Sequence, residues 1–259
     1  MPKIAIIGGT GIYNPDSFEL IREEFPDTPY GKPSDPIMIG KINGAEIAFL
    51  FRHGKNHQYP PTAVPYLANM YALKQLGCQY VISACAVGSL TEDYKPGDLV
   101  IADQFTDFTK SRTYTYFNDK TVHISMPDPF CPYLNDIFAK TAKEMRIPFH
   151  RGGNYVCIEG PRFSTRAESR MFRMIGGDII GMTVVPECQL ARELGMCYCS
   201  LATVTDYDCW FEEDVTIDIV IKTMNECLDK VLRLLELGLP KIGETDCHCI
   251  EAAKGCGAL

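Results

Sequence analysis

"KIAIIGGTGIYNP", Lys3–Pro15, is the stretch that decides the fold class. The apolar run Ile4-Ala5-Ile6-Ile7 reads as a buried strand, and Gly8-Gly9-Thr10-Gly11 as the turn that ends it. A dinucleotide-binding pattern needs a third Gly or Ala three residues after its second glycine, opening a helix. Counted from Gly9 and Gly11, that position is Asn14, and Pro15 follows it. A bare anion-binding turn is left, with backbone N–H groups and the Thr10 hydroxyl as donors.

Working outward, extended and helical patterns alternate. A hairpin is predicted at Ile37–Lys41 and Glu46–Arg52 around Asn43-Gly44. A helix follows from Tyr66 to Leu76, then a buried strand in "YVISACAVGSL" and another in "PGDLVIADQF". Thr106–Met126 has no clear period and reads as a long, functional loop. Beyond it come a helix at Cys131–Met145, a strand in "FHRGGNYVCIEG", a helix at Thr165–Ile175 and a short strand at Asp178–Gly181. The last elements are a helix at Pro186–Leu194, an apolar strand at Cys197–Thr205 and an amphipathic helix at Thr216–Leu237. The pattern implies an α/β domain with a mostly parallel sheet between helices. Ligands of such sheets gather at the carboxyl ends of strands.

The 259 residues suit one large domain over 1–243, followed by a Cys-containing tail, 244–259. A formal charge of −8 argues against nucleic acid and anionic membrane as partners, and requires local donors for any anionic substrate. No apolar run is long enough for a membrane span and no signal peptide is seen, which points to a cytoplasmic protein. Most of the twelve cysteines sit in apolar elements and read as small buried hydrophobes. The tail crowds Cys247, His248, Cys249 and Cys256 together, but it has no CxxC pair and no second ligand pair at zinc-type spacing. No metal is expected.

Four polar clusters follow strands. The first is the Gly8–Gly11 turn. In the second, Arg52-His53 ends a buried strand, where Arg52 could clasp phosphate oxygens and His53 donate once more, or Arg52 could pair with a structural carboxylate. The third, "CIEGPRFST", offers Phe163 as a platform for a heterocycle and Glu159 as a partner for Arg162 or another arginine. The fourth is "TVTDYDCW". In extended backbone Asp206 and Asp208 would share a face, able to accept from an amino group and to protonate a ring nitrogen. Thr183, after a short strand, adds a hydroxyl. Together these groups suit phosphorolysis of a purine N-glycosidic bond.

"GGTGIY", "RHGKNHQYPPTAVPY", "PGDLVIADQFTDFT", "IEGPRFSTRAESRMFR" and "MTVVPECQLARELGMCYCSLATVTDYDCW" appear in the order found in the 5′-methylthioadenosine phosphorylases. From Ile4 to about Gly243 the chain resembles this trimeric branch of the purine nucleoside phosphorylase family. The resemblance implies a central mixed, partly barrel-like sheet flanked by helices. It implies Thr10, Arg52, His53, Ala86 and Thr183 as phosphate ligands, with Cys85 near them. Met182 would lie beneath the ribose and Phe163 against the purine. Asp206 would serve N7, with Asp208 at the 6-amino group. Ile217, Val220 and Ile221 form an apolar stripe on a helix, and the alignment sets it against the 5′ substituent, favouring a thioether over a hydroxyl. His123 would come from a neighbouring subunit, making the protein a homo-oligomer, trimer or hexamer.

The implied reaction converts 5′-methylthioadenosine to adenine and 5-methylthioribose 1-phosphate, with inorganic phosphate as co-substrate and no cofactor. A methylthioinosine phosphorylase or a broader purine nucleoside phosphorylase is the alternative. Outside the class stand an NAD-binding redox module and a metal or redox protein built on the tail. Cys85 stands where the eukaryotic members carry Thr, and Gly181 where Asn often precedes Met-Thr. The Cys-His-Cys tail is similar to Cys-x-Cys tails of some archaeal members, for which disulfide chemistry is proposed.

Overall fold

Strand β1, Ile4–Gly8, has all five residues buried and pairs in parallel with a strand on each side. An apolar run without polar alternation requires cover on both faces, and the alternation of its side chains builds two cores. Ala5 and Ile7 join Leu50, Val81 and Leu190 on one face. Ile4 and Ile6 join Phe49, Ile82 and Leu134 on the other. In this computed structural model, residues 3–9, 18–212, 214–245 and 247–252 are described. Thr10, Gly11, Asn14, Pro15 and Cys256 lie outside the described residues.

The strands are β2 Glu19–Glu24, β3 Ile37–Ile42, β4 Ala45–Phe51, β5 Tyr80–Ser89, β6 Leu99–Ile101, β7 Gln104–Phe108, β8 Phe149–Arg151, β9 Asn154–Ile158, β10 Ile179–Gly181 and β11 Cys197–Asp206. The helices are α1 Tyr66–Gln75, α2 Pro132–Met145, α3 Arg166–Met174, α4 Val184–Glu193, α5 Ile217–Gly238 and the short α6 His248–Ala252. The predicted hairpin forms as β3 and β4, with Asn43 and Gly44 at φ 47° and 81°, the left-handed pair that a tight two-residue turn requires. Thr165 caps α3 through a reciprocal box with Glu168, and the Thr216 side chain caps α5, so both helices start where the sequence places them.

The sheet forks at β5. Its first half lies between β1 and β11, both parallel to it, while Gly88 and Ser89 at its end pair antiparallel with β10. One arm continues β11–β6–β8 and the other β10–β9–β7. The arms rejoin where Gly152 donates to the Ile101 carbonyl at 2.9 Å and Gln104 to the Gly153 carbonyl at 3.4 Å. This closure gives the mixed, partly barrel-like sheet that the resemblance implied, rather than the mostly parallel one read from the pattern.

It also explains two divided strands. "PGDLVIADQF" and "FHRGGNYVCIEG", each read as one strand, break into β6/β7 and β8/β9, because the chain crosses from one arm to the other. Gly152 holds φ 93° at the crossing, and a Cβ there would sit 2.9 Å from Asp103 Oδ2. The edge strand β2 escaped the sequence reading because it is exposed and polar, with no apolar alternation. In the tail, Cys247 and Cys249 are buried in the second core. Among the described residues, no helix is long and apolar enough to cross a membrane.

Candidate active site

β1, β4, β5 and β11 run parallel, so their carboxyl ends reach the same edge of the sheet. There they open on a cavity of about 680 Å³, within the range of small-molecule sites. Gly9 follows β1, Arg52 and His53 follow β4, and Cys85–Gly88 come from β5. Met182 and Thr183 follow β10, Asp206 ends β11, and Ile217, Val220 and Ile221 come from α5. Ala86, Phe163 and Asp208 complete the lining drawn from the sequence expectations. His123 is exposed and is not among the residues lining the cavity of its own chain.

Arg52 is 1% exposed, pairs with a buried carboxylate, and also lines the cavity. Its Nε and Nη2 grip Glu187 at 2.5 and 3.1 Å, while Nη2 also donates to Ser83 Oγ at 2.6 Å. Tyr198 adds a hydroxyl to Glu187 Oε2 at 2.8 Å, giving a buried and well-bonded pair. Burial alone would lower the Arg52 pKa, but the Glu187 charge and hydrogen bonds raise it above its ordinary value. Among the described residues Nη1 makes a single bond, to the Ala84 carbonyl at 3.2 Å, which leaves one N–H for a ligand.

The expected donation from His53 needs revision. Its Nδ1 lies 2.8 Å from the Tyr59 carbonyl, so Nδ1 carries the proton. Burial, then the Arg52 charge, push the His53 pKa down to about 4. The ring is therefore neutral near pH 7 and its Nε2 is an acceptor, suited to a phosphate P–OH. Thr183 Oγ1 is buried without a hydrogen-bond partner of good geometry among the described residues. An unpaired buried hydroxyl is costly unless a ligand completes it.

At the other end, the two aspartates do not alternate along extended backbone. Asp206 ends β11, but Asp208 sits in a tight turn at φ 49°, and its N–H donates to Asp206 Oδ1 at 2.8 Å. The turn brings both carboxylates to one cavity, which alternation was expected to do. The Thr205 hydroxyl donates to Asp206 Oδ2 at 2.8 Å. Burial raises the Asp206 pKa above the usual carboxylate value, and the Asp208 charge adds to this while the two hydrogen bonds oppose it. Burial likewise raises that of Asp208. Both carboxyls thus hold protons more readily than a free Asp.

Gly88 has a local reason that the sequence reading missed. A Cβ on it would lie 2.8 Å from Asp206 Oδ1 and 3.1 Å from Ile180, so a side chain here would displace the acid. Arg112, in the long loop, was missed as well. It donates to the carbonyls of Met182 at 2.8 Å and Glu159 at 2.7 Å, to the Val185 carbonyl, and to Glu159 Oε1 at 3.2 Å. One cation thereby ties the loop to two walls of the site, and Glu159 finds its arginine there, while Arg162 pairs with Glu168 instead. Cys85 is a buried thiol 3.7 Å from Ser200 Oγ, raised in pKa by burial and so a weak ligand. Neither Arg112 nor Glu187 shows a local motif, because each is defined by partners remote in sequence.

Residues 3–237 match the model of the phosphorylase superfamily. The S-methyl-5′-thioadenosine phosphorylase of Pyrococcus horikoshii is 57% identical over 256 residues, 98% of each chain. That of Saccharolobus solfataricus is 51% identical over 258 residues, 97% of this chain and 96% of the relative. Among solved structures, a methylthioadenosine phosphorylase from an antarctic soil metagenomic library superposes with a TM-score of 0.94 at 43% identity, covering 100% of this chain and 92% of its own. The Schistosoma mansoni methylthioadenosine phosphorylase in complex with adenine gives 0.92 at 38% identity, covering 98% and 96%. With strand order, cavity and sequence in agreement, the chain belongs to the phosphorylase superfamily, in its 5′-methylthioadenosine phosphorylase branch.

Proposed function

We propose that the chain catalyses phosphorolysis of 5′-methylthioadenosine to adenine and 5-methylthioribose 1-phosphate. The observation that carries this is one cavity with anion donors at one end and two aspartates of raised pKa at the other. Phosphate sits on the free Arg52 N–H, the Thr183 hydroxyl and the Ala86 backbone, with Nε2 of His53 accepting its P–OH. Thr10 completes the set in this reading. A phosphate oxygen forms a bond to C1′ as the C1′–N9 bond breaks, and the bonding pair passes into the purine. N7 takes up a proton from Asp206, whose raised pKa keeps it available. Asp208 accepts from the 6-amino group, which favours adenine over a 6-oxopurine. Phe163 and Met182 flank the base and sugar.

Ile217, Val220 and Ile221 offer the 5′ substituent an apolar surface, where a hydroxyl would lose hydrogen bonds. Phosphate is the co-substrate, and no further cofactor enters the reaction. Adenine formation from 5′-methylthioadenosine, measured with and without phosphate, tests the proposal. We expect turnover only with phosphate and faster than with 5′-methylthioinosine or adenosine. Phosphate-independent release of adenine would make the chain a hydrolase and overturn the reading.

The proposal includes a homo-oligomer in which His123 of one copy reaches the site of the next. Support comes from exposed His123 and from Ile217 and Ile221 at the cavity, 61% and 51% exposed in the isolated chain. Sedimentation of the purified chain should give a trimer or a multiple of it, and a stable monomer with full activity would remove His123 from the site. We place the protein in the cytoplasm, where a reducing environment suits the eleven free, buried cysteines among the described residues.

A further inference from the structure

Outside the site, four cysteines from three parts of the chain converge. Cys131 immediately precedes α2, Cys197 opens β11, and Cys247 and Cys249 belong to the C-terminal segment around α6. All four are buried, and their sulfurs all lie within 4.8 Å of one another, with Cys131 and Cys247 at 3.4 Å. We propose that this cluster is a structural four-thiolate site for a zinc ion, fastening the C-terminal segment to the core.

Geometry and charge both support a metal. Zinc–sulfur bonds of about 2.3 Å in a tetrahedron set the sulfurs about 3.8 Å apart, so each must neighbour all three others. Two disulfides would need only pairwise approach. The charge argument rests on Arg192, which is 3% exposed and has no ion-pair partner among the described residues. Among the described residues its guanidinium donates to the neutral carbonyls of Asp128 and Pro129, at 2.6 and 3.1 Å, just before Cys131, and its helix α4 packs against α6. A buried cation without a counter-ion is costly. Zinc bound by four thiolates carries a net charge of −2 and would supply an anion where the described residues offer Arg192 none. Binding replaces four S–H bonds with four Zn–S bonds and releases four protons, with no change of oxidation state.

The pattern escaped the spacing test because Cys247 and Cys249 form a C-x-C pair, and the second pair is joined only by the fold. The adjacent His248 is exposed and takes no part. The whole chain, prepared with thiols reduced, should bind one Zn²⁺, and Co²⁺ in its place should show tetrahedral thiolate absorption. Cys247→Ser/Cys249→Ser should weaken Zn²⁺ binding more than about 100-fold, whereas Cys227→Ser, outside the cluster, should leave it intact. Zn²⁺ should raise the unfolding midpoint of the unaltered chain only. If the double variant fails to fold, the unaltered chain still decides. Absence of the cobalt bands, or disulfides among these four cysteines in protein isolated without reductant, would overturn the proposal.

Discussion

Asp206→Asn lowers kcat for adenine release by about 10²- to 10⁴-fold, the span usual for losing a positioned general acid. The substitution keeps the shape of the side chain, so the Thr205 and Asp208 contacts can be retained in part. What it removes, in the proposed mechanism, is the proton transferred to N7. The pH profile separates this role from mere positioning. Because the Asp206 pKa is raised, activity of the unaltered chain should fall as pH rises through that raised value, and the variant should lose that limb. The stability signature has the same sign. Between the ordinary Asp value and the raised one, the native state binds protons that the unfolded state has released, so stability declines as pH rises. Asp206→Asn removes its share of this slope. Near-normal turnover, or an unchanged pH limb, would exclude Asp206 as the acid.

The second large effect is on folding. Glu187→Gln leaves the Arg52 guanidinium buried with no counter-charge, while Tyr198 and Ser83 lose the carboxylate they share. Breaking one side of a buried ion pair costs about 3–5 kcal/mol. For a chain of this size that lowers the unfolding midpoint on the order of 10 °C. Calorimetry or thermal circular dichroism measures it directly. A loss below about 1 kcal/mol would mean that water reaches the pair, and the account of Arg52 as a neutralised, preset ligand would fail. The phosphate KM should rise as well, because the freed guanidinium no longer holds its Nη1 toward the cavity.

Much of the cavity lining was legible because polar groups in this fold emerge just after strands. Arg52, Thr183 and Asp206 each follow an apolar run, and each lines the cavity. The stripe of Ile217, Val220 and Ile221 could be placed on one helix face by spacing alone, although only the family resemblance gave it a purpose. The elements that were misdrawn have two causes. Polar β2 carries no periodic signal, and the β6/β7 and β8/β9 divisions depend on which arm of a forked sheet each segment joins. The neutral tautomer of His53 follows from the Tyr59 carbonyl and the burial around it, neither of which appears in the dipeptide Arg52-His53.

The sequence by itself determined the alternation of strands and helices, the positions of their caps, and the edge at which polar residues emerge. These follow from local backbone preference and from apolar periods of two and 3.6 residues, which neighbouring residues suffice to express. Only the tertiary structure decided that Glu187 neutralises Arg52, that Arg112 clamps the long loop, that Asp208 turns back beneath Asp206, and that four cysteines meet. Apart from the local Asp206–Asp208 turn, those outcomes rest on burial and on partners tens to more than a hundred residues apart. Electrostatic energy depends on distance and solvent exclusion, and neither exists until the chain has closed on itself.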